Sequence, residues 1–219
     1  MTFGAENAII LSMKNSYIEI KNATVRETVI ERSRFICRLE KVKTESDARA
    51  VIAEVKREHP FATHNCYAYI TDGGEISRFS DDGEPQGTAG QPMLEALKGK
   101  GLVNVVAVVT RYFGGVKLGA GGLVRAYSGA VSSAAREAGI SELFLSDEYR
   151  LTFGYDSYQA FLKYIQKQPI TVLSTDFSDS VTACVAIKNQ SGDVIDGLVD
   201  YLNGKVFFEK TGEGYYIYE

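Results

Sequence analysis

Apolar and polar residues change period several times along the chain. Tyr17-Ile18-Glu19-Ile20 alternates, and Arg34-Phe35-Ile36-Cys37-Arg38-Leu39 is similarly strand-like. Thr44 is placed to cap a helix, with Asp47 three residues on in a variant capping box. Ala48, Val51, Ile52 and Val55 then recur at helical spacing, and His59-Pro60 ends that helix. Cys66 to Thr71 and Ile76 to Phe79 predict a hairpin turning at Gly73-Gly74. Pro92 suits the first turn of a short helix continued by Met93 to Leu97. Val103 to Val109 is a near-continuous apolar run, as expected of a strand buried on both faces. Leu123, Tyr127, Ala130, Val131, Ala134 and Ala138 predict a long, alanine-rich helix stopped at Gly139.

A second pattern starts near residue 147. Arg150 to Tyr155 reads as strand, Tyr158 to Lys167 as helix, and Ile170 to Phe177 and Val181 to Lys188 as strands. Val194 to Leu202 reads as helix and Val206 to Tyr218 as strand. This order, β-α-β-β-α-β, is the ferredoxin-like pattern. The chain is therefore expected to be α+β, with an N-terminal α/β domain over 17–143 and a C-terminal domain over 147–219. Residues 1–16 are expected to be a leader or disordered start. Met1 to Ser12 lacks a basic n-region and makes a poor signal peptide.

Composition narrows the classes. Of 219 residues, 45% are hydrophobic and 24% charged, which is ordinary for globular proteins. The net charge is -4. Residues 147–219 hold 6 basic and 11 acidic groups, leaving 18 and 17 in the rest. No global field draws in polyanions, although local basic patches are compatible with these sums. Cys37, Cys66 and Cys184 are odd in number and widely spaced, so neither a disulfide framework nor a zinc site is expected. No apolar run is long enough to span a bilayer. A cytoplasmic chain without a membrane partner is the expectation.

Two loops carry the candidate chemistry. The first holds Asp81, Asp82, Glu84, Gly87, Thr88 and Gly90. Its three carboxylates suit a Mg²⁺, contacts to basic groups of a partner, or plain capping and solvation. The second runs from Arg111 to Arg125 and contains Gly114, Gly115, Lys117, Gly119, Gly121 and Gly122. Glycines expose backbone N–H groups, a helix N-terminus adds partial positive charge, and Lys117, Arg111 and Arg125 add donors for phosphate. The alternative is a tight turn with close helix–sheet packing. G-K-[ST] is absent, and the third glycine of the dinucleotide fingerprint is missing. His64 and Asn65 are possible accessory residues. A Cys66/His64 nucleophile pair is imaginable from strand periodicity, but a packed cysteine beside a surface histidine is the preferred reading.

Ser33-Arg34-Phe35-Ile36, Ala62-Thr63-His64-Asn65, the stretch from Asp82 to Pro92 and the stretch from Arg111 to Tyr127 resemble the YigZ/IMPACT family. The resemblance covers roughly 17–140, and the tail looks like the small C-terminal domain of bacterial members. It implies a two-layer α/β fold of the ribosomal-protein and elongation factor G domain IV type, followed by a ferredoxin-like domain. Eukaryotic relatives regulate translation by binding a partner of an initiation-factor kinase. A noncatalytic translation-related protein that binds RNA or the ribosome is the leading expectation. No cofactor, no metal and no DNA specificity are expected. A protein-docking regulator of translation or stress signalling is the alternative. An enzyme acting on a phosphorylated small molecule ranks third, and requires both loops to meet in one cleft.

Overall fold

The computed structural model describes residues 15–189, 191 and 193–218. The expectation for a leader therefore falls largely outside the described residues. The chain forms two compact units, one spanning Tyr17–Glu142 and the other beginning at Leu143.

The first unit opens with β1 (Ser16–Ile20), β2 (Thr24–Ile30) and β3 (Ser33–Lys41). The helix α1 (Glu45–Glu58) follows. Its capping box is present: Thr44 Oγ1 accepts from the Asp47 N–H at 3.2 Å, and Asp47 Oδ2 accepts from the Thr44 N–H at 3.0 Å. The hairpin is β4 (His64–Thr71) and β5 (Ile76–Ser80), joined through a short 3₁₀ turn at Asp72–Gly74. Then come α2 (Gly90–Lys98), β6 (Val105–Tyr112) and α3 (Gly119–Ala138). The sheet order is β2-β3-β6-β4-β5, and each neighbouring pair is antiparallel.

The central strand β6 accounts for the apolar run. Val105, Ala107 and Val109 pack with Leu94, Leu97, Ala130 and Ala134 of α2 and α3. Val106 and Val108 face the other way and pack with Val51, Ile52 and Val55 of α1. Burying each such side chain contributes roughly 1.5–3 kcal/mol, so both faces stabilise this strand. The sheet with α2 and α3 forms the α/β pair of layers, and α1 covers the opposite face of β4 and β6. Small residues on α3, Ala126, Ala130, Ala134 and Ala135, are buried against the sheet. Tyr127 fills the larger gap, its ring edge-on to Phe35 at 5.3 Å.

β7 (Ile140–Phe153) leads into the second unit. There α4 (Tyr158–Ile165), β8 (Ile170–Phe177), β9 (Val181–Lys188), α5 (Val194–Tyr201) and β10 (Val206–Tyr216) follow. β7 is longer than the pattern predicts, because Glu142, Ser146, Asp147 and Glu148 dilute its apolar residues. β7 pairs with β10 and with β9, and β9 with β8, all antiparallel, which are the strand neighbours of the ferredoxin-like pattern. Its core joins Leu151, Phe153, Phe161, Val185, Leu198 and Leu202. Among the described residues no helix is long and apolar enough to cross a membrane.

Candidate functional site

The acidic loop links β5 to α2. Asp81 turns its carboxylate onto the loop's own backbone. Oδ1 accepts from the N–H groups of Ala89 and Gly90 at 3.0 and 2.8 Å, and Oδ2 from that of Gly87 at 2.8 Å. Ala89 has no capping side chain of its own, so Asp81 supplies the acceptor for the start of α2. Gly90 lies against the backbone of Ser80. A Cβ there would come within 2.7 Å of the Ser80 carbonyl, which explains the glycine. Thr88 closes the turn by donating from Oγ1 to the Pro85 carbonyl at 2.6 Å.

Asp82 serves β4 and α1. Its Oδ2 accepts from the Asn65 N–H at 2.7 Å, and its Oδ1 from Lys56 Nζ at 2.7 Å. Partial burial raises the carboxyl pKa, but the Lys56 and Asn65 hydrogen bonds outweigh it, and the net displacement is downward. Asn65 is buried, and its Oδ1 accepts from Thr110 Oγ1 at 2.8 Å. Asp82 also fixes His64: its carbonyl oxygen lies 2.8 Å from His64 Nδ1. A carbonyl can only accept, so Nδ1 carries a proton and Nε2 is left to face Glu84.

Glu84 points inward. Its side chain is only 3% exposed, and Oε1 accepts from Arg111 Nη1 at 2.6 Å and from Tyr127 OH at 2.7 Å. Its Oε2 faces His64 Nε2 at 3.8 Å. Arg111 is equally buried and passes between the rings of Phe35 and Phe113, 5.3 and 5.5 Å from its guanidinium carbon. Among the described residues its Nε has no hydrogen-bond partner. The three carboxylates of the loop thus diverge to separate partners. Among the described residues no group of three His, Cys, Asp or Glu is placed to hold a metal ion.

The glycine-rich loop joins β6 to α3. Gly114 meets the turn between β2 and β3 so closely that a Cβ would stand 2.0 Å from the Arg32 carbonyl carbon. Its N–H donates to Ser33 Oγ at 3.2 Å. Gly115 and Gly119 adopt φ of 83° and 70°, where L residues are strained. Gly121 and Gly122 lie in the first turn of α3. That turn contains no acidic residue, and its N-cap residue, Leu118, makes no side-chain capping bond. Its N–H groups and the helix dipole therefore meet no carboxylate from their own sequence.

The two loops converge. A cavity of about 450 Å³ is lined by His64, Glu84, Pro85, Arg111, Phe113 and Lys117, together with the start of α3. Lys117 is exposed and also lines a second cavity of about 420 Å³, where it is joined by Glu31, Gly122 and Arg125. Arg111 and Arg125 therefore serve different hollows, with Lys117 common to both. Cys66 is buried, donates from Sγ to the Asp81 carbonyl at 2.9 Å, and burial pushes its thiol up to about 12. A thiol held protonated this firmly is no partner for His64 in nucleophilic chemistry. Tyr127 belongs to the site although its helical spacing marked it as core, and no local signal linked it to Glu84, 43 residues away.

Comparison with known proteins places this arrangement. The family model described as the Impact N-terminal domain matches residues 31–135, a span that contains both loops. An IMPACT family member of Haemophilus influenzae is 38% identical over 179 residues, covering 80% of this chain and 86% of that protein. The chain belongs to the IMPACT family. The IMPACT family member YvyE of Bacillus subtilis is 53% identical over 131 residues, covering 59% of this chain and 60% of that protein. The IMPACT family member YigZ of Escherichia coli is 38% identical over 161 residues, covering 72% of this chain and 79% of that protein. A solved structure, titled as the crystal structure of an hypothetical protein, aligns with a TM-score of 0.59 at 32% identity. It covers 91% of this chain and 98% of that one.

Proposed function

We propose that this IMPACT-family chain is a noncatalytic, translation-related cytoplasmic protein that binds RNA, on the ribosome, through the phosphate backbone. The observation that carries this is the bare start of α3: a 20-residue helix with no acidic first turn and no capping bond from its N-cap side chain, opening beside the exposed Lys117. Helix N-termini of this kind attract phosphate oxygens, and a neighbouring lysine adds a point charge. Lys117 and Arg125 line adjacent hollows, which suits two successive phosphates better than one enclosed ion.

Convergence of the two loops on one cavity also supports a second reading, an enzyme acting on a phosphorylated small molecule. His64 Nε2 and Glu84 Oε2 would be candidate bases there among the described residues. The two readings separate on turnover: phosphorylated metabolites should be released unchanged if the protein only binds.

Cosedimentation with ribosomes across a salt series, with and without nuclease, tests the proposal. Association that weakens steeply with salt and is lost on nuclease treatment is expected. Salt-insensitive association surviving nuclease would instead indicate docking to a protein.

A further inference from the structure

Phe61 is 90% exposed, on the short loop between α1 and β4. A side chain so bare adds almost no burial to the fold, yet its loop is firmly held. The Ala62 N–H donates to the His59 carbonyl at 3.1 Å, and the Thr63 N–H to the Arg111 carbonyl at 2.9 Å. His59 Nδ1 lies 3.0 Å from Tyr112 OH. The same loop reaches a second exposed aromatic, since Thr63 Oγ1 accepts from the Phe113 N–H at 3.0 Å. Phe113 is 47% exposed, and the Arg111 guanidinium steadies its ring from 5.5 Å. Phe61 stands two residues from Thr63, at most about 7 Å along the chain. Two bare aromatic rings are thus fixed on adjoining loops of the first unit.

Charge decides what the rings meet. Arg57 lies four residues before Phe61 and Lys117 four after Phe113, and the turn that holds Arg32 packs against Gly114. All three cations are exposed. The neighbouring carboxylates Glu58, Asp82 and Glu84 are taken by Arg38, Lys56 and Arg111, so among the described residues no ion pair neutralises Arg32, Arg57 or Lys117. Against them stands Glu31, beside Arg32, and positive charge prevails around the rings. Exposed rings among surplus cations match unpaired nucleic-acid bases, whose faces stack on aromatic side chains while their phosphates meet the positive charge. We infer that Phe61 and Phe113 are stacking platforms for unpaired bases, so that the protein binds single-stranded RNA in preference to duplex. In a duplex each base is stacked on its neighbours, and its faces are closed to a side chain. This inference rests on the RNA-binding reading and adds which form of RNA is bound.

The chain contains no tryptophan, so Phe61→Trp places a single fluorescent reporter at the first platform. Its emission should be quenched by a short single-stranded RNA and left unchanged by the same sequence annealed to its complement. Fluorescence polarisation should show tighter binding of the single strand than of the duplex. Phe61→Ala and Phe113→Ala, checked for folding by circular dichroism, should each weaken single-strand binding by roughly 5- to 150-fold, the range for one lost base stack. The dependence of affinity on salt should stay that of the parent chain, because neither change removes a phosphate contact. Unchanged single-strand affinity in folded Phe61→Ala, or equal binding of single strand and duplex, overturns the inference and leaves the RNA-binding reading in place. Loss of nuclease-resistant ribosome association in Phe61→Ala, with RNA affinity intact, also overturns it and assigns the ring to a protein partner. Failure of the parent chain to bind either form of RNA removes both readings.

Discussion

Arg111 and Glu84 are joined at 2.6 Å in a buried ion pair that ties the glycine-rich loop to the acidic one. Each leaves an uncompensated charge if the other is removed. Glu84→Ala or Arg111→Ala is therefore expected to destabilise the protein by about 3–5 kcal/mol, measured by urea denaturation. Glu84→Leu combined with Arg111→Met should cost less than the sum of the two single changes, since no lone charge remains. Single variants as stable as the parent chain would show that the pair does not hold the loops.

Asp81 has a different task from its two acidic neighbours. Three backbone N–H groups, at Gly87, Ala89 and Gly90, end on its carboxylate. Asp81→Ala strips the start of α2 of its acceptor and should cost about 1–3 kcal/mol in the same denaturation experiment. A change within a few tenths of a kcal/mol would mean that water replaces those bonds without loss.

The elements with one dominant period were the most legible in the sequence. The capping box at Thr44, the doubly buried strand at Val105–Val109 and the βαββαβ order of the tail each follow from local pattern. β2 was not separately legible, because Arg26 and Glu27 sit between exposed Val25 and Val29 on a sheet edge. Both candidate loops could be found from their glycines and charges, but the partners of each charged group could not. Glu84 meets Arg111 across 27 residues and Tyr127 across 43, and such pairings are set by tertiary packing. Asp81, Asp82 and Glu84 looked alike as a run of carboxylates. The fold sends one to a helix start, one to Lys56 and one to the buried arginine.

The thiols should react in a fixed order. Burial pushes Cys37 and Cys66 up to about 12, whereas Cys184 is partly exposed. Iodoacetamide at neutral pH should label Cys184 first and the other two only on unfolding, as read by intact mass. Fast labelling of Cys66 in the folded protein would reopen its pairing with His64.

Acid sensitivity should pass in part through Asp82. Burial raises its pKa, but the bonds from Lys56 and the Asn65 N–H lower it further, so the folded value lies below the unfolded one. The stabilisation is complete above the ordinary aspartate value of about 3.9 and is lost as pH falls through the depressed value. Lys56→Met should make the loss of stability below that range shallower, followed by thermal melts at stepped pH. An unchanged acid profile would assign the sensitivity to other carboxylates.

RNA binding by this protein requires that the opening of α3 and its flanking cations meet phosphate. The direct measurement is the affinity of a short single-stranded RNA across a salt series, for the parent chain and for Lys117→Ala/Arg125→Ala. Both side chains are exposed, so the double variant should fold normally. It should bind more weakly, with the slope of log affinity against log salt reduced by roughly 1–2 units for two lost phosphate contacts. An identical slope in the folded double variant would contradict a phosphate-binding role for this loop.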